Sequence, residues 1–170
     1  MAVRLETERL VIRTFEPSDA DAWLVMVNNP EFDRFLPPSP PATREDFRAM
    51  VERRRRMEHE RGFAMWAVDV KDDGFAGQCG LYPADGDGPE VELAYHFNES
   101  SWNKGFATEA ANAVLDYAFG PVGLTRVIAF VMPENAASCR VAEKVGMRLE
   151  AEGITAHELA DLRRYAAERR

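Results

Sequence analysis

The hydrophobic positions change period several times along the chain, and each change marks a predicted element. RLVIRTF at residues 9–15 alternates, placing Leu10 and Ile12 on one face of a strand. PSDADAWLVMVNN then switches to helical spacing, with Ser18 positioned as N-cap and Asn28, Asn29 and Pro30 as the stop. LPPSPPA at 36–42 is a stiff connector, because it is short and the flanking helices are too small to fold alone. A second helix is predicted from Thr43 to Glu60, with Phe47, Met50, Val51 and Met57 along one face and Gly62 closing it.

From Phe63 the pattern turns to strands. FAMWAVDV, FAGQCGLY and VELAYHF are rich in β-branched and aromatic residues and are separated by KDDG and PADGDGPE, which predicts an antiparallel meander. DGDGPE at 85–90 lacks the ligand ladder of a calcium loop and reads as a hairpin turn. Ala107, Ala110, Ala111, Val114, Leu115 and Ala118 recur at helical spacing, and their small size predicts close packing. GPVGL ends that helix, RVIAFVM at 126–132 is a short buried strand, and NAASCRVAEKVG is a helix stopped by Gly146. Strand, helix and strand from 91 to 132 imply a right-handed parallel crossover. Local propensity alone makes the tail after Met147 helical.

Composition narrows the class. At 170 residues, 46% hydrophobic and 29% charged, the chain fits one domain over 1–170. No apolar run approaches the ~20 residues of a membrane span, and the charged opening MAVRLETERLVIR carries no visible leader, so the expected location is cytoplasmic. Cys79 and Cys139 have no metal-ligand spacing and are expected as free thiols. A net charge of -8 argues against a nucleic-acid partner. Residues 43–62 run the other way, with seven arginines against five acids, and RRRR at 53–56 could bind a partner; on this amphipathic pattern, mostly solvated arginines are the simpler reading.

The chemistry concentrates around SSWNKGFATEA. A helix entrance leaves backbone N–H groups unpaired at the positive end of the helix dipole, Gly105 permits close approach, and Lys104 adds charge, so the stretch could hold phosphate. In the strand before it, Val91, Leu93, Tyr95 and Phe97 face one way, and Glu92, Ala94 and His96 the other. Glu92 and His96 then stand ~13 Å apart with Ala94 between them, a slot with a carboxylate at one end. Neither belongs to a metal site, since no partner histidine lies at ligand spacing. Asn135 sits at a strand-to-helix corner where it could cap, and Ser138 lies one turn inside without a nucleophile elbow.

TERLVIRTFEPSDADAW, VELAYHFNESSWNKGFATEAANAVLDYAF and VMPENAASCRVAEKVGMRLEAEG, in this order, together resemble the GNAT acetyltransferase superfamily, specifically its RimJ/RimL type. The resemblance covers nearly the whole chain. It implies an α/β (α+β) fold: a mixed, mostly antiparallel sheet of about seven strands, splayed between the fourth and fifth, with helices on both faces. Acetyl-CoA would lie in that gap, and no metal is implied. Residues 91–97 become the fourth strand, with Tyr95, His96 and Phe97 offering groups to the pantetheine and thioester. The phosphate signature falls on Trp102, Asn103, Lys104, Gly105, Phe106 and Ala107, followed by Thr108 in the first helical turn. Trp102 stands where the family has Gln or Arg, and Asn103 where many relatives have glycine. Asn135 matches an asparagine that bonds the pantetheine arm, and Ser138 a hydroxyl near the leaving sulfur. The tail becomes two antiparallel strands, RLEAEGITAH and LRRYAAER, against its propensity.

On this resemblance the expected reaction is acetyl transfer to a primary amine by direct attack, with Glu92 taking the proton and Ser138 reprotonating the thiolate. At pH 7 an α-amine is roughly one-seventh neutral and a lysine about 0.04%, so a base matters more for lysine. The acceptor, a small-molecule or peptide amine, stays open; the acidic surface is compatible with cationic acceptors. Loops 30–42 and 82–90 are expected to line its side, and a homodimer is allowed. A non-catalytic acyl-CoA-binding module of the same fold is the alternative.

Overall fold

A computed structural model describes residues 2–86 and 88–169. In chain order its elements are β1 (Arg4–Glu6), β2 (Leu10–Arg13), α1 (Ala20–Val27), α2 (Arg44–Arg61), β3 (Met65–Val70), β4 (Gly74–Pro83), β5 (Val91–Phe97), α3 (Phe106–Phe119), β6 (Arg126–Val131), α4 (Ala136–Lys144), β7 (Arg148–Ala156) and β8 (Leu159–Glu168). The strands form one sheet in the order β1-β2-β3-β4-β5-β6-β8-β7. All pairs are antiparallel except β5 with β6.

The sequence expectation of about seven strands omits β1. RLE carries one apolar residue and no alternation, so it becomes a strand only by pairing with β2. The splay expected between strands four and five consequently lies between β5 and β6. β5 pairs with β4 along its whole length but with β6 only at Glu92 and Ile128. The meander is as expected, and Ala84 N–H donates to Glu90 O to close the connection between β4 and β5; Asp87, within the predicted 85–90 turn, lies outside the described residues.

Alternation along the central strands divides the core in two. Trp66 and Val68 of β3 join Cys79, Leu81, Leu93, Ala110, Ala111 and Val114 under α3 and α4. Ala67 faces the opposite side, with Phe15, Trp23, Met26, Phe47 and Met50 under α1 and α2. Ala110, Ala111 and Ala118 of α3 are fully buried, which lets the helix lie close on the sheet.

Helix ends follow local chemistry. Thr43 and Asp46 form a reciprocal capping box on α2, and Gly62 ends it at φ 79°. At α1 the expected cap at Ser18 is replaced: Pro17–Asp19 form a 3₁₀ turn, and the Asp19 carboxylate accepts the Glu16 N–H at 2.8 Å. The tail folds as two strands against its propensity. β8 inserts between β6 and β7 and buries Leu162 and Tyr165, a tertiary gain that exceeds a propensity preference of a few tenths of a kcal/mol per residue. His157 and Glu158, at φ 51° and 63°, make its tight turn.

Arg13 ties β2 to the 3₁₀ turn before α1 and to β3. It forks onto Asp19 at 2.8 Å and onto Asp69 of β3 at 2.7 Å, and its pairing with Asp19 outweighs burial to raise its pKa. Arg13→Leu would leave Asp19, 5% exposed, without its counter-charge. We expect a loss of about 3–5 kcal/mol in denaturant unfolding; a loss under 1 kcal/mol would show that the network is not structural.

Candidate active site

The loop into α3 takes two left-handed steps, at Asn103 (φ 59°) and Gly105 (φ 80°). Gly105 is the N-cap of α3, and no side chain caps that end. The first-turn N–H groups of Phe106, Ala107 and Thr108 therefore lack intrahelical acceptors, next to the exposed backbone of residues 103–105 and the positive helix end. This donor set fits a pyrophosphate. Trp102, 42% exposed, donates its indole N–H to Phe97 O at 2.9 Å, so it fastens the loop to the end of β5.

Arg9, absent from the sequence candidates, organises the same loop. Its Nη1 donates to Lys104 O at 2.9 Å, its Nε to Glu109 at 2.7 Å, and its guanidinium covers the Phe106 ring at 4.7 Å. Thr7 Oγ1 also donates to Glu109, at 2.6 Å. Burial opposes ionisation of Glu109, but these bonds outweigh it and lower its pKa. Only the place of Arg9 in TERL could have signalled this, because its partners lie about a hundred residues away.

Glu92 is 3% exposed and points to the α1/α2 side of β5. Its Oε2 lies 2.6 Å from Nε2 of His157, which the β7–β8 turn carries over Phe130. Tyr82 lies opposite Glu92 in the β4–β5 register; burial, then the Glu92 charge, pushes its phenol up. The hydrogen bond to Glu92 raises the pKa of His157 above 6.5 against the effect of burial, with the charges of Glu92 and Asp85 adding to it. His157 was expected inside a strand and went unrecognised as a partner.

Tyr95 points to the other face. Its hydroxyl meets Ser138 Oγ at 3.0 Å and donates to Ser138 O at 3.1 Å, joining β5 to α4 across the splay. Burial pushes the Tyr95 phenol up, so it is protonated at neutral pH. Asn135 caps α4, its Oδ1 accepting the Ser138 N–H at 3.2 Å. Glu92 and Ser138 thus flank β5 from opposite sides. The His96 side chain turns away from Tyr95 and stacks on Phe32 at 4.9 Å. Cys79 and Cys139 are free and buried, and among the described residues no group of His, Cys, Asp and Glu is arranged to hold a metal. No helix among the described residues is long and apolar enough to cross a membrane.

A family model for the acetyltransferase (GNAT) domain matches residues 9–148. The chain belongs to the GNAT acetyltransferase family. Members of this family are acetyl-CoA-dependent acyltransferases, and so is this chain. It is 35% identical to the uncharacterised protein YkkB of Bacillus subtilis (strain 168) over 147 residues, covering 85% of this chain and 84% of that one. The N-acetyltransferase YnaD of the same organism, itself uncharacterised, is 34% identical over 149 residues, covering 87% and 84%. The crystal structure of a GNAT-family acetyltransferase from Bacillus anthracis superposes with a TM-score of 0.81 at 31% identity, covering 98% and 99%. At 18% identity, and as likeness of fold alone, so do RimL, a ribosomal L7/L12 α-N-protein acetyltransferase in complex with coenzyme A (TM-score 0.81, 98% of both chains), and a spermidine N-acetyltransferase from Vibrio cholerae with CoA and spermine (0.78, 96% and 97%).

Two outcomes follow for this GNAT chain. Gly105→Val places a β-branched residue at φ 80° with its Cβ 3.3 Å from Arg9 Nη2. It should raise the dissociation constant for acetyl-CoA about tenfold or more by calorimetry; unchanged affinity would mean the phosphates bind elsewhere. By NMR titration His157 should show a pKa above 6.5 that falls back in Glu92→Gln. Because the folded value is the higher one, the stability contributed by this histidine is full below pH 6.5 and is lost as pH rises through the folded pKa. A titration indifferent to Glu92→Gln would detach the two groups.

Proposed function

We propose that the chain acts as a single-domain N-acetyltransferase of the RimJ/RimL-like type, moving acetyl from acetyl-CoA to a primary amine of a small molecule or peptide. The observation that carries this reading is the buried carboxylate of Glu92, bonded to His157 on one face of β5, while Tyr95 and Ser138 meet on the other. An amine approaching from the α1/α2 side and a thioester from the α4 side would converge at the strand. Neighbours of the same fold include one named for a protein α-amine and one named for spermidine, which supports an amine acceptor.

Acetyl-CoA supplies an activated acetyl thioester. The chain's own groups then have distinct tasks. The first turn of α3, with Lys104 beside it, holds the phosphates, and the amide of Asn135 and the backbone of 95–97 orient the pantetheine arm. Glu92 takes the ammonium proton and shares it with His157, leaving a neutral nitrogen. Attack forms the N–C bond, and the C–S bond breaks; backbone N–H groups at the end of β5 stabilise the charge that develops on the carbonyl oxygen. Ser138, hydrogen-bonded to the protonated Tyr95, passes a proton to the thiolate and regains one from the nitrogen as the amide forms. No acyl-enzyme is needed, which fits the packed setting of Cys139.

Glu92→Gln keeps the shape of the site and removes the base. At pH 7 turnover should fall by about 100-fold, while the acetyl-CoA dissociation constant stays within about twofold, as read by CoA release and calorimetry. An unchanged rate removes Glu92 from the scheme. Acetyl-CoA binding without CoA release for any amine would make the chain a binding module.

A further inference from the structure

The arginine run at 53–56 divides in the structure. Arg53, Arg55 and Arg56 are exposed, as an amphipathic helix predicts, but Arg54 turns inward onto the sheet. Its Nη1 donates to Gln78 Oε1 at 3.0 Å, and its guanidinium lies 5.0 Å over the Phe15 ring. Among the described residues no carboxylate is bonded to it. Burial pulls its pKa down to about 9, and the charge acting on it is the like charge of Arg53. Arg13, by contrast, holds two aspartates.

The groups in contact with Arg54 add no negative charge. With Gln78 Oε1 committed to the guanidinium, its amide N–H faces Nδ1 of His96 at 3.3 Å, so His96 carries its proton on Nε2. Burial, then Arg54, pushes His96 down to about 4, and it is neutral at pH 7. Arg54 and Gln78 line a cleft of about 370 Å³ with Trp23, Phe32 and Arg53. Asp33 and Asp46 also line it, but Asp46 is taken by the Thr43 N–H and hydroxyl, and neither is among the charges acting on Arg54. A desolvated guanidinium without a counter-charge, beside an open cleft, is an incomplete anion site.

We infer that the amine acceptor carries a carboxylate, and that Arg54 binds it at the far end of the β4–β5 face from Glu92. This rests on the amine-acetylation reading above. Gln78 pairs with His96 and Tyr82 with Glu92, so the two ends stand four residues apart, ~13 Å between Cα atoms, with Ala94 between them. An extended peptide of roughly three to four residues spans that distance. The acceptor is therefore a peptide N-terminus with an acidic side chain a few residues in; a shorter ω-amino acid has the same chemistry with less reach. The overall negative charge of the chain is compatible with cationic acceptors, and this local field favours the opposite sign at one end of the acceptor.

The test uses the full chain and acetyl-CoA with tetrapeptides differing only by Glu or Gln at the third or fourth residue, a Lys-bearing counterpart and a series of ω-amino acids, read as CoA release. The Glu peptides should exceed their Gln partners in kcat/KM on the order of tenfold to a hundredfold. Arg54→Met should bring that ratio close to one, and Arg54→Lys should retain part of it. A preference confined to the ω-amino acids keeps the carboxylate and moves its source to a small molecule. Equal rates for Glu and Gln peptides in the wild-type protein, or a preference for Lys, overturn the carboxylate while leaving amine transfer standing. No CoA release with any amine overturns both.

Discussion

β5 has two unequal neighbours, and the site depends on that inequality. β4 pairs with it from end to end, whereas β6 meets it at Glu92 and Ile128 and then diverges. Backbone groups on a parted strand edge need partners other than a ladder. A ligand arm rich in amides would suit that edge, and the helix that follows β5 would present its bare first turn to the other end of such a ligand. Both features come from one segment, 91–108, in which a fully paired strand would have left no room for a substrate.

Alternation along the same strand sorts the chemistry. Glu92 and His96 face α1 and α2, and Tyr95 faces α4, so the groups proposed to accept and to return a proton are separated by the thickness of one strand. Each side chain is fixed by a partner from a different element: the β7–β8 turn for Glu92, α4 for Tyr95, and β4 with α2 for His96. Such cross-element bonds hold the groups in place before any substrate arrives, the preorganisation that catalysis requires.

Most elements were legible from period and caps, because Thr43 with Asp46, Gly62 and Asn135 act within a few residues of themselves. β1 was not, since three residues with one apolar position carry no pattern, and the tail was legible only through family likeness, since pairing overrode propensity. The same division holds at the site. Glu92, Gly105 and Ser138 stand in local patterns. Arg9, Arg54 and His157 gain their meaning from partners 100, 24 and 65 residues away, and no window of sequence contains those pairs. Trp102 looked like a defect in the phosphate signature until its bond to Phe97 O gave it a place in the loop.

The two histidines on the α1/α2 side of the sheet show how charge is arranged there. They share a side of the sheet, yet the environment moves them in opposite directions: burial and Arg54 hold His96 neutral, while the bond to Glu92 favours protonated His157. Raising the pH through the raised pKa of His157 therefore changes charge at the Glu92 end, while His96 at the Arg54 end stays neutral. On the proposed scheme, base strength and recognition of the acceptor vary independently, because the group that titrates is not the group that binds. A face with one titrating end and one fixed cationic end is polar along its length, and it orients an acceptor whose own charges run amine to carboxylate.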